Sequence, residues 1–258
     1  GCSLDEDSMQ AKSDVMELQG RQIADWLSRM ALTQDRFLRA TPAHRVIAHI
    51  SCGLLCGALL EPNFSFAHSR EVKEISKFIS HSWHGSQVLK ILTLQLFYNG
   101  KVAMLVSNVV ALLAAVLSSL GLLPGFEKIP RFGTQPILLG TWSLSMGLLS
   151  FFLVWILRVP QELVFLDRLC IDQGNPDEKI EGLINIGACL KRSKKLLVIW
   201  DETYCQRLWC QFELAAFLKS HDDGSLVVLP TSLTIFFLGL FLQNALMWYC
   251  SLLLPYDS

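Results

Sequence analysis

One carboxylate in the sequence stands where a helix would have to remove it from water. The stretch "RLWCQFELAAF", Arg207 to Phe217, has helical periodicity, and at about 100° per residue Glu213 falls in the middle of the apolar side. Burial disfavours the ionised form of a carboxyl group, so we expect the pKa of Glu213 to be raised. Such a group is either a reactive carboxylate at a cleft or part of a buried polar network, paired with Arg192 or Arg207. The residues that share its apolar side are Trp209, Cys210, Phe212, Ala216 and Phe217.

Three polar stretches follow apolar runs that are typical of buried strands. His81, Ser82 and Trp83 follow the first run, residues 167–172 follow the second, and residues 201–204 follow the third. Ligand sites of parallel α/β sheets form beyond the carboxyl ends of the strands, so we expect the three stretches to converge on one crevice. The candidate binding residues there are His81, Ser82, Trp83, Asp167, Arg168, Asp172 and Trp209.

Each of these residue types also has a purely structural use. Asp167 and Asp172 are common turn-forming residues, and His81 and His84 are of a type that loops often hold by hydrogen bonds. Trp209 is equally suited to a hydrophobic core. The sequence leaves both interpretations open for these positions.

The order of the predicted elements indicates an α/β fold. Predicted strands alternate with helices over about residues 86–98, about residues 176–192 and the Glu213 segment. In the 176–192 helix the residues expected to face inward are Ile180, Leu183, Ile184, Ile186 and Leu190. This alternation predicts a parallel sheet with helices on both faces. A further helix is expected from about residue 13 to residue 40. The predicted strands are Phe78–Ile79, Leu163–Leu166, Leu196–Ile199 and Leu226–Leu229.

Three long apolar runs carry no charged residue. They extend from Val102 to Leu123, from Ile137 to Leu157 and from Ser232 to Leu254, and each is long enough to cross a hydrocarbon core of about 30 Å as a helix. A fourth apolar segment, Val46 to Leu60, is shorter and predicts a buried or interfacial helix. The chain is therefore expected to be an integral membrane protein in contact with lipid.

The first two runs are joined by a short loop, Pro124 to Pro136, and so predict a transmembrane helical hairpin. Lysine and arginine are more frequent in the flanks of the hairpin than in the loop, and this bias places both flanks, and with them the α/β domain, in the cytosol. The expected organisation is an N-terminal helical region (residues 1–74), an α/β domain (75–101 and 158–230), the hairpin (102–157) and a C-terminal transmembrane segment (231–258).

The charge balance and the cysteines exclude two classes of site. With 22 Lys and Arg against 23 Asp and Glu, the chain has no basic excess for a nucleic-acid partner. The eight cysteines form no C-x-x-C pair and no repeated spacing typical of metal ligands, so no metal site is expected.

Three motifs together resemble the Toll/interleukin-receptor (TIR) superfamily. They are "ISHSWHG", "VFLDRLCIDQGNPDEKI" and "LLVIWDETYCQRLWCQFEL", and they stand in the expected order on the expected elements. The middle motif is most similar to the heterokaryon-incompatibility branch, whose helix pattern R-x-W-x-x-x-E matches Arg207, Trp209 and Glu213. The resemblance covers about residues 75–98 and 160–230.

The resemblance implies a flavodoxin-like parallel sheet and, for enzymatic members, hydrolysis of NAD+ at the nicotinamide–ribose bond. Glu213 then takes the position of the catalytic carboxylate, Trp209 walls the pocket, residues 81–84 line the nucleotide side and residues 168–177 gate the cleft. NAD+ is the implied substrate, and no other cofactor is implied. Non-enzymatic members instead act by self-association, so the alternative is a membrane signalling module that forms a homo-oligomer through its TIR-like face.

This chain departs from the family pattern in two places. A hairpin is inserted between the first helix and the second strand, and an apolar run follows the fourth strand, where the family continues with a further helix and strand. The sheet is therefore expected to be truncated.

Overall fold

The computed structural model describes residues 31–56, 66–124, 126–128, 137–139, 141–221 and 223–253. The chain divides into two compact units, Gly1–Ile91 with Gln161–Thr231 and Leu92–Pro160 with Ser232–Ser258. The first unit contains a central sheet and the second contains apolar helices. The strands are β1 (Arg39–Pro42), β2 (Arg70–Glu71), β3 (Ile75–His81), β4 (Phe126–Lys128), β5 (Ile137–Leu139), β6 (Leu163–Phe165), β7 (Ser193–Trp200) and β8 (Leu226–Pro230). The α-helices are α1 (Ala43–Cys56), α2 (Gln87–Ser119), α3 (Thr141–Leu157), α4 (Asp167–Cys170), α5 (Pro176–Ile184), α6 (Ile186–Lys191), α7 (Leu208–Ser220) and α8 (Thr231–Leu253).

The central sheet has six strands in the order β2-β1-β6-β3-β7-β8. Strand β3 pairs in parallel with β6 and β7, and β7 pairs in parallel with β8. The prediction that these four strands are parallel neighbours is confirmed. The sheet as a whole is mixed, because β1 runs antiparallel to β6 and β2 runs antiparallel to β1.

The antiparallel edge corrects the prediction for the N-terminal region. The expected helix over about residues 13–40 is wrong for its C-terminal part, where Asp35–Phe37 form one 3-10 turn and Arg39–Pro42 form β1. Residues 13–30 lie outside the described part of the chain. Strand β1 covers the outer edge of β6, and the amide of Ala43 continues this pairing by donating to the carbonyl of Glu162 over 2.8 Å.

The inner strands form the core of the first unit. Residues Leu196 to Ile199 are all fully buried, as expected for a parallel strand that is covered on both faces. Phe78 of β3 and Phe165 of β6 stack with their ring centroids 4.7 Å apart. Helix α7 packs against β3 and against α6, and this packing fixes the position of Glu213 relative to the carboxyl end of β3.

The helix predicted over residues 176–192 is divided at Asn185 into α5 and α6. Asn175 caps the start of α5, where its Oδ1 accepts from the amide of Asp177 over 3.0 Å. Five of the six residues of α6 are buried, whereas in α5 only Gly182 is buried. The predicted inward orientation is confirmed for Ile186 and Leu190, which are buried. It is wrong for the α5 residues Ile180, Leu183 and Ile184, which are exposed.

Helices α2 and α8 are long and apolar enough to cross a membrane, judged by length and composition only. Helix α2 has 33 residues, about 50 Å, and joins the predicted 86–98 helix and the first apolar run into one element. Only 11% of its most apolar window and 6% of that of α8 is buried, whereas a core helix of a soluble protein would be mostly buried.

The second predicted span is shorter than expected. Ile137–Leu139 form β5 and pair with β4, so the helix begins only at Thr141 and has 17 residues, about 25 Å. Within the second unit, Phe151 of α3 packs on Phe241 of α8 with ring centroids 5.0 Å apart. The amide of Asn99 in α2 donates to the carbonyl of Trp155 over 2.9 Å, so a buried polar side chain finds its partner at the end of α3.

Candidate functional site

The loops that follow β3, β6 and β7 meet at one edge of the sheet, as predicted. The indole Nε1 of Trp83 donates to Asp167 over 3.3 Å, and the guanidinium of Arg168 lies 4.2 Å from the centre of the Trp83 ring. On the other side, the hydroxyl of Thr203 donates to the hydroxyl of Ser82 over 2.7 Å. Hydrogen bonds therefore join the three loops into one crevice.

The carboxylate of Glu213 points at this edge from helix α7. Only 6% of the residue is exposed, and its Oε2 accepts from the hydroxyl of Ser80 over 2.6 Å. The hydroxyl of Ser80 is in turn 2.8 Å from the hydroxyl of Tyr204, which reaches the carbonyl of Cys210 over 3.3 Å. Glu213 is thus held by the neutral hydroxyl of Ser80 on strand β3, which Tyr204 contacts in turn.

Neither cation considered from the sequence neutralises this carboxylate. Within the described part of the chain, no Lys, Arg or His forms an ion pair with Glu213, and the exposed Arg207 contacts His84 instead, over 3.2 Å. The alternative that Glu213 is one half of a structural ion pair with Arg192 or Arg207 is therefore not what the structure shows.

Burial raises the pKa of Glu213 to about 8, and the nearby Asp167 adds to this effect. The hydrogen bonds from Ser80 and Trp209 act in the opposite direction but are weaker. Near neutral pH the carboxyl group is mostly protonated. A positive charge placed in the crevice would restore its ionised form, because an opposite charge lowers the pKa of a carboxyl group.

A cavity of about 180 Å³ opens beside Glu213. Trp209, which is 42% exposed, forms part of its wall and is not a core residue. Burial also raises the pKa of Asp167, whose carboxylate accepts from the Arg168 amide and from Trp83. The predicted residues that line this cavity are His81, Ser82, Trp83, Asp167, Trp209 and Glu213.

Two predicted residues lie elsewhere. Arg168 borders a second, smaller cavity on the other side of Trp83. Asp172 lines a separate cavity together with Arg36 and Arg39, and its Oδ1 accepts from the amide of Gly174 over 2.8 Å. This geometry is that of an Asx turn, so Asp172 has the turn-forming role that the sequence left open and is not brought to the Glu213 cleft.

His81 is the last residue of β3 rather than a loop residue, and only 7% of it is exposed. Burial, reinforced by the ammonium of Lys90, lowers its pKa to about 3, so the imidazole is neutral. The ring packs edge-on against Trp83 with centroids 4.2 Å apart. Its Nε2 is buried and has no hydrogen-bond partner among the described residues.

A buried ion pair beneath the crevice was not predicted from the sequence. The Lys90 ammonium lies 3.1 Å from Asp201 and also donates to the carbonyl of Ser82. Burial acts against ionisation of Asp201, but hydrogen bonds from Thr203 and the charge of Lys90 outweigh it and lower the pKa of this carboxyl group. Gly85 lies directly against the pair, and a β-carbon at that position would clash with the Asp201 carboxylate.

Ser80 and Lys90 are residues of the site that sequence analysis missed. Tyr204 belongs to the 201–204 stretch expected at the crevice, but its contact with Ser80 was not predicted. Ser80 offered one weak signal, because it is a hydroxyl residue that directly follows the apolar pair Phe78 and Ile79. Lys90 gave none, because its partner Asp201 is distant in the sequence.

No protein-family model matches the chain, and no curated protein or solved structure matches it.

The Lys90–Asp201 pair should dominate the stability of the crevice. We expect Lys90→Met to lower the free energy of unfolding by about 3–5 kcal/mol, because it leaves a buried carboxylate without its counter-charge. Lys194→Met removes an exposed lysine that pairs with Glu74 over 2.8 Å and should cost less than about 1 kcal/mol. Urea unfolding followed by tryptophan fluorescence measures both, and equal losses in the two variants would contradict a buried pair.

Glu213 should make stability depend on pH. Its pKa is raised in the folded state, so its stabilising contribution is complete below its ordinary value of 4.5 and is lost as the pH rises towards about 8. Glu213→Gln is neutral at every pH, so the variant should match the wild type near pH 5 and be more stable at pH 8, by on the order of a few kcal/mol. Thermal unfolding at both pH values measures this.

The matched control is Glu202→Gln, which changes an exposed glutamate in the neighbouring loop. It should leave the difference between the two pH values unchanged. If the stability of Glu213→Gln changed between the two pH values by the same amount as that of the wild type, the Glu213 carboxyl group would not be desolvated.

Proposed function

We propose that this chain is a membrane-anchored TIR-like domain that hydrolyses the nicotinamide–ribose bond of NAD+, with Glu213 as the catalytic carboxylate. One observation carries the proposal: the buried carboxyl group of Glu213, which has no counter-ion among the described residues, lies at a cleft beyond the carboxyl ends of parallel strands. Holding such a group costs stability, and groups of this kind are concentrated at functional sites.

The strand order supports the TIR-like, flavodoxin-like part of the proposal. Numbered along the chain, the parallel strands β3, β6, β7 and β8 lie in the order 2-1-3-4, which is the flavodoxin-like order without its fifth strand. In that arrangement the ligand crevice lies where the order reverses, at β3 and β7. His81, at the end of β3, lines the Glu213 cleft, and Asp201 follows the end of β7.

The chemistry follows from charge. The bond between C1′ of the ribose and the nicotinamide nitrogen breaks with its electron pair going to the ring, so neutral nicotinamide leaves and positive charge develops on the sugar. Ionised Glu213 stabilises that charge, which is largest in the transition state. Water then adds to C1′ and releases a proton, and the second product is ADP-ribose.

The other residues of the cleft bind and exclude water. Trp209 and Trp83 provide aromatic walls for the nicotinamide ring, and the Asp167 carboxylate is placed to accept from ribose hydroxyls. The positive nicotinamide ring of the substrate itself favours ionisation of Glu213. The carboxyl group of Glu213 is therefore neutral in the empty cleft and ionised when the substrate is bound, and this limits the free-energy cost of burying it.

Helices α2 and α8 support anchoring in a membrane. Their apolar side chains are largely exposed, which a lipid environment explains and water does not. The lysine and arginine bias of the flanks supports an α/β domain on the cytosolic side.

A second candidate is a non-enzymatic signalling module that self-associates through the TIR-like face. Three large apolar side chains favour it, since Trp200, Leu208 and Trp209 are 37%, 65% and 42% exposed on the α/β unit. An interface between copies would cover them. The two candidates differ in whether NAD+ is consumed.

Nicotinamide release by the purified full chain in nanodiscs tests the enzymatic proposal. Glu213→Gln should lower turnover by on the order of 100-fold or more, the scale of losing one main electrostatic stabiliser. Glu202→Gln should retain full activity. Because the ionised carboxylate is the active form, kcat/KM should rise with pH and level off above about pH 8. Wild-type turnover by Glu213→Gln would exclude it as the catalytic group, and an inactive wild type at high surface density would favour the self-association module.

Membrane topology is tested by introducing glycosylation acceptors into the full chain. An acceptor at Gly125, in the predicted hairpin loop, should be modified in microsomes, whereas one at Lys73 should not, because the flanks are expected to face the cytosol. Alkaline carbonate should leave the chain in the membrane pellet. Release by carbonate, or modification at Lys73 only, would contradict the anchored topology.

A further inference from the structure

A second cavity, of about 40 Å³, lies on the other side of Trp83 from Glu213. It shares His81, Ser82 and Trp83 with the Glu213 cleft, and its remaining wall comes from helices α1, α2 and α4 of the same unit. None of the described residues that line it is acidic. The lining side chains that carry or accept a proton or a positive charge are His49, His81, Lys90 and Arg168.

The electrostatic effects within this group indicate a positive potential in the cavity. Burial lowers the pKa of His49, and the charge of Arg168 lowers it further. After burial, Lys90 is the main cause of the lowered pKa of His81, and Arg168 and His49 contribute in the same direction, while Asp201 opposes them. Asp201 already neutralises Lys90, so Arg168 supplies the excess charge.

The guanidinium group of Arg168, with its several N–H donors, lines the cavity. It lies over the Trp83 ring at 4.2 Å, an arrangement that fixes the plane of the group. Planar guanidinium groups bind phosphate and carboxylate oxygens with two hydrogen bonds. The preorganised Arg168 therefore suits an anion with several oxygens.

Two further hydrogen-bond donors also favour an anion as the ligand. Only 7% of His81 is exposed. Its Nε2 has no hydrogen-bond partner among the described residues, although a buried polar atom normally has one. In the tautomer with a proton on Nε2, this atom donates to an anion. The cavity also includes Gln87, the first residue of the 33-residue helix α2, whose amino end carries the positive pole of the helix.

We propose that this cavity binds a phosphate group through Arg168, His49 and the Nε2 of His81. The assignment depends on this cavity alone and does not require any reaction at Glu213. Two sources present the same chemistry, the pyrophosphate of a soluble dinucleotide and the headgroup of a phospholipid. If the enzymatic proposal also holds, the acidic and basic cavities on the two sides of Trp83 divide the substrate between its ribosyl cation and its phosphates.

Calorimetric titration with inorganic pyrophosphate tests the site, using the full chain in nanodiscs of phosphatidylcholine. We expect saturable binding that Arg168→Gln and His49→Gln each weaken by about tenfold or more, the scale of a charge-assisted hydrogen bond. Lys194→Gln is the matched control, because it removes a cation at the amino end of β7, far along that strand from the crevice. It should bind as the wild type does.

The source is identified by repeating the titration in nanodiscs that contain phosphatidic acid. Unchanged pyrophosphate binding assigns the cavity to a soluble phosphate compound, whereas competition by the lipid assigns it to a headgroup, and either result supports the site. No binding by folded wild type in phosphatidylcholine, or equal binding by Arg168→Gln and wild type, overturns the proposal. NAD+ cleavage without pyrophosphate binding would overturn the phosphate site and leave the proposed role of Glu213 intact. Pyrophosphate binding without NAD+ cleavage would support the phosphate site and contradict the enzymatic proposal.

Discussion

The ion pair between Lys90 and Asp201 is the interaction on which the crevice depends. It connects the first turns of α2 to the carboxyl end of β7, and through the carbonyl of Ser82 it also holds the end of β3. These are the two strand ends between which the parallel order reverses, and the ion pair adds a side-chain connection to the pairing of His81 with Ile199 in the sheet. A buried pair of this kind is costly to desolvate but still more costly to break, which makes it a strong determinant of one geometry. Gly85 belongs to the same arrangement, because only a residue without a β-carbon leaves room for the pair.

Glu213 presents the opposite case a short distance away. Its carboxyl group is buried and receives hydrogen bonds from Ser80 and Trp209, but it has no counter-ion among the described residues. The fold therefore places the Asp201 carboxylate against a lysine but gives Glu213 no such partner among the described residues. If stability alone had shaped this region, a neutral side chain would serve better at position 213. The proposed function accounts for this arrangement, because the positive nicotinamide ring of NAD+ would bring a counter-charge to Glu213.

The sequence predicted those parts of the fold that are encoded locally. Runs such as Leu196–Ile199 are apolar on both faces, which only a covered strand explains, and the polar residues after them marked the edge where the crevice forms. Strand β1 was missed because Arg39–Pro42 has no apolar alternation and becomes a strand only by pairing with the edge of β6. The break at Asn185 was missed because the apolar spacing continues through it, although only α6 is covered. Residues that act over long sequence distances, such as Lys90 with Asp201 or Ser80 with Glu213, leave no pattern in the sequence that spacing analysis detects.

Trp83 separates two cavities of different electrostatic character. On one side lie the carboxyl groups of Glu213 and Asp167, whose pKa values burial raises, and on the other side Arg168 and the donors around it favour an anion. The indole itself touches both environments, since it donates to Asp167 and its face carries the Arg168 guanidinium. A ligand with a single charge would interact with only one of the two cavities. The charged groups of the other cavity would then lose water without gaining a charged partner. A ligand whose positive and negative groups lie a few ångströms apart satisfies both cavities at once, and its binding on one side would position it for the other.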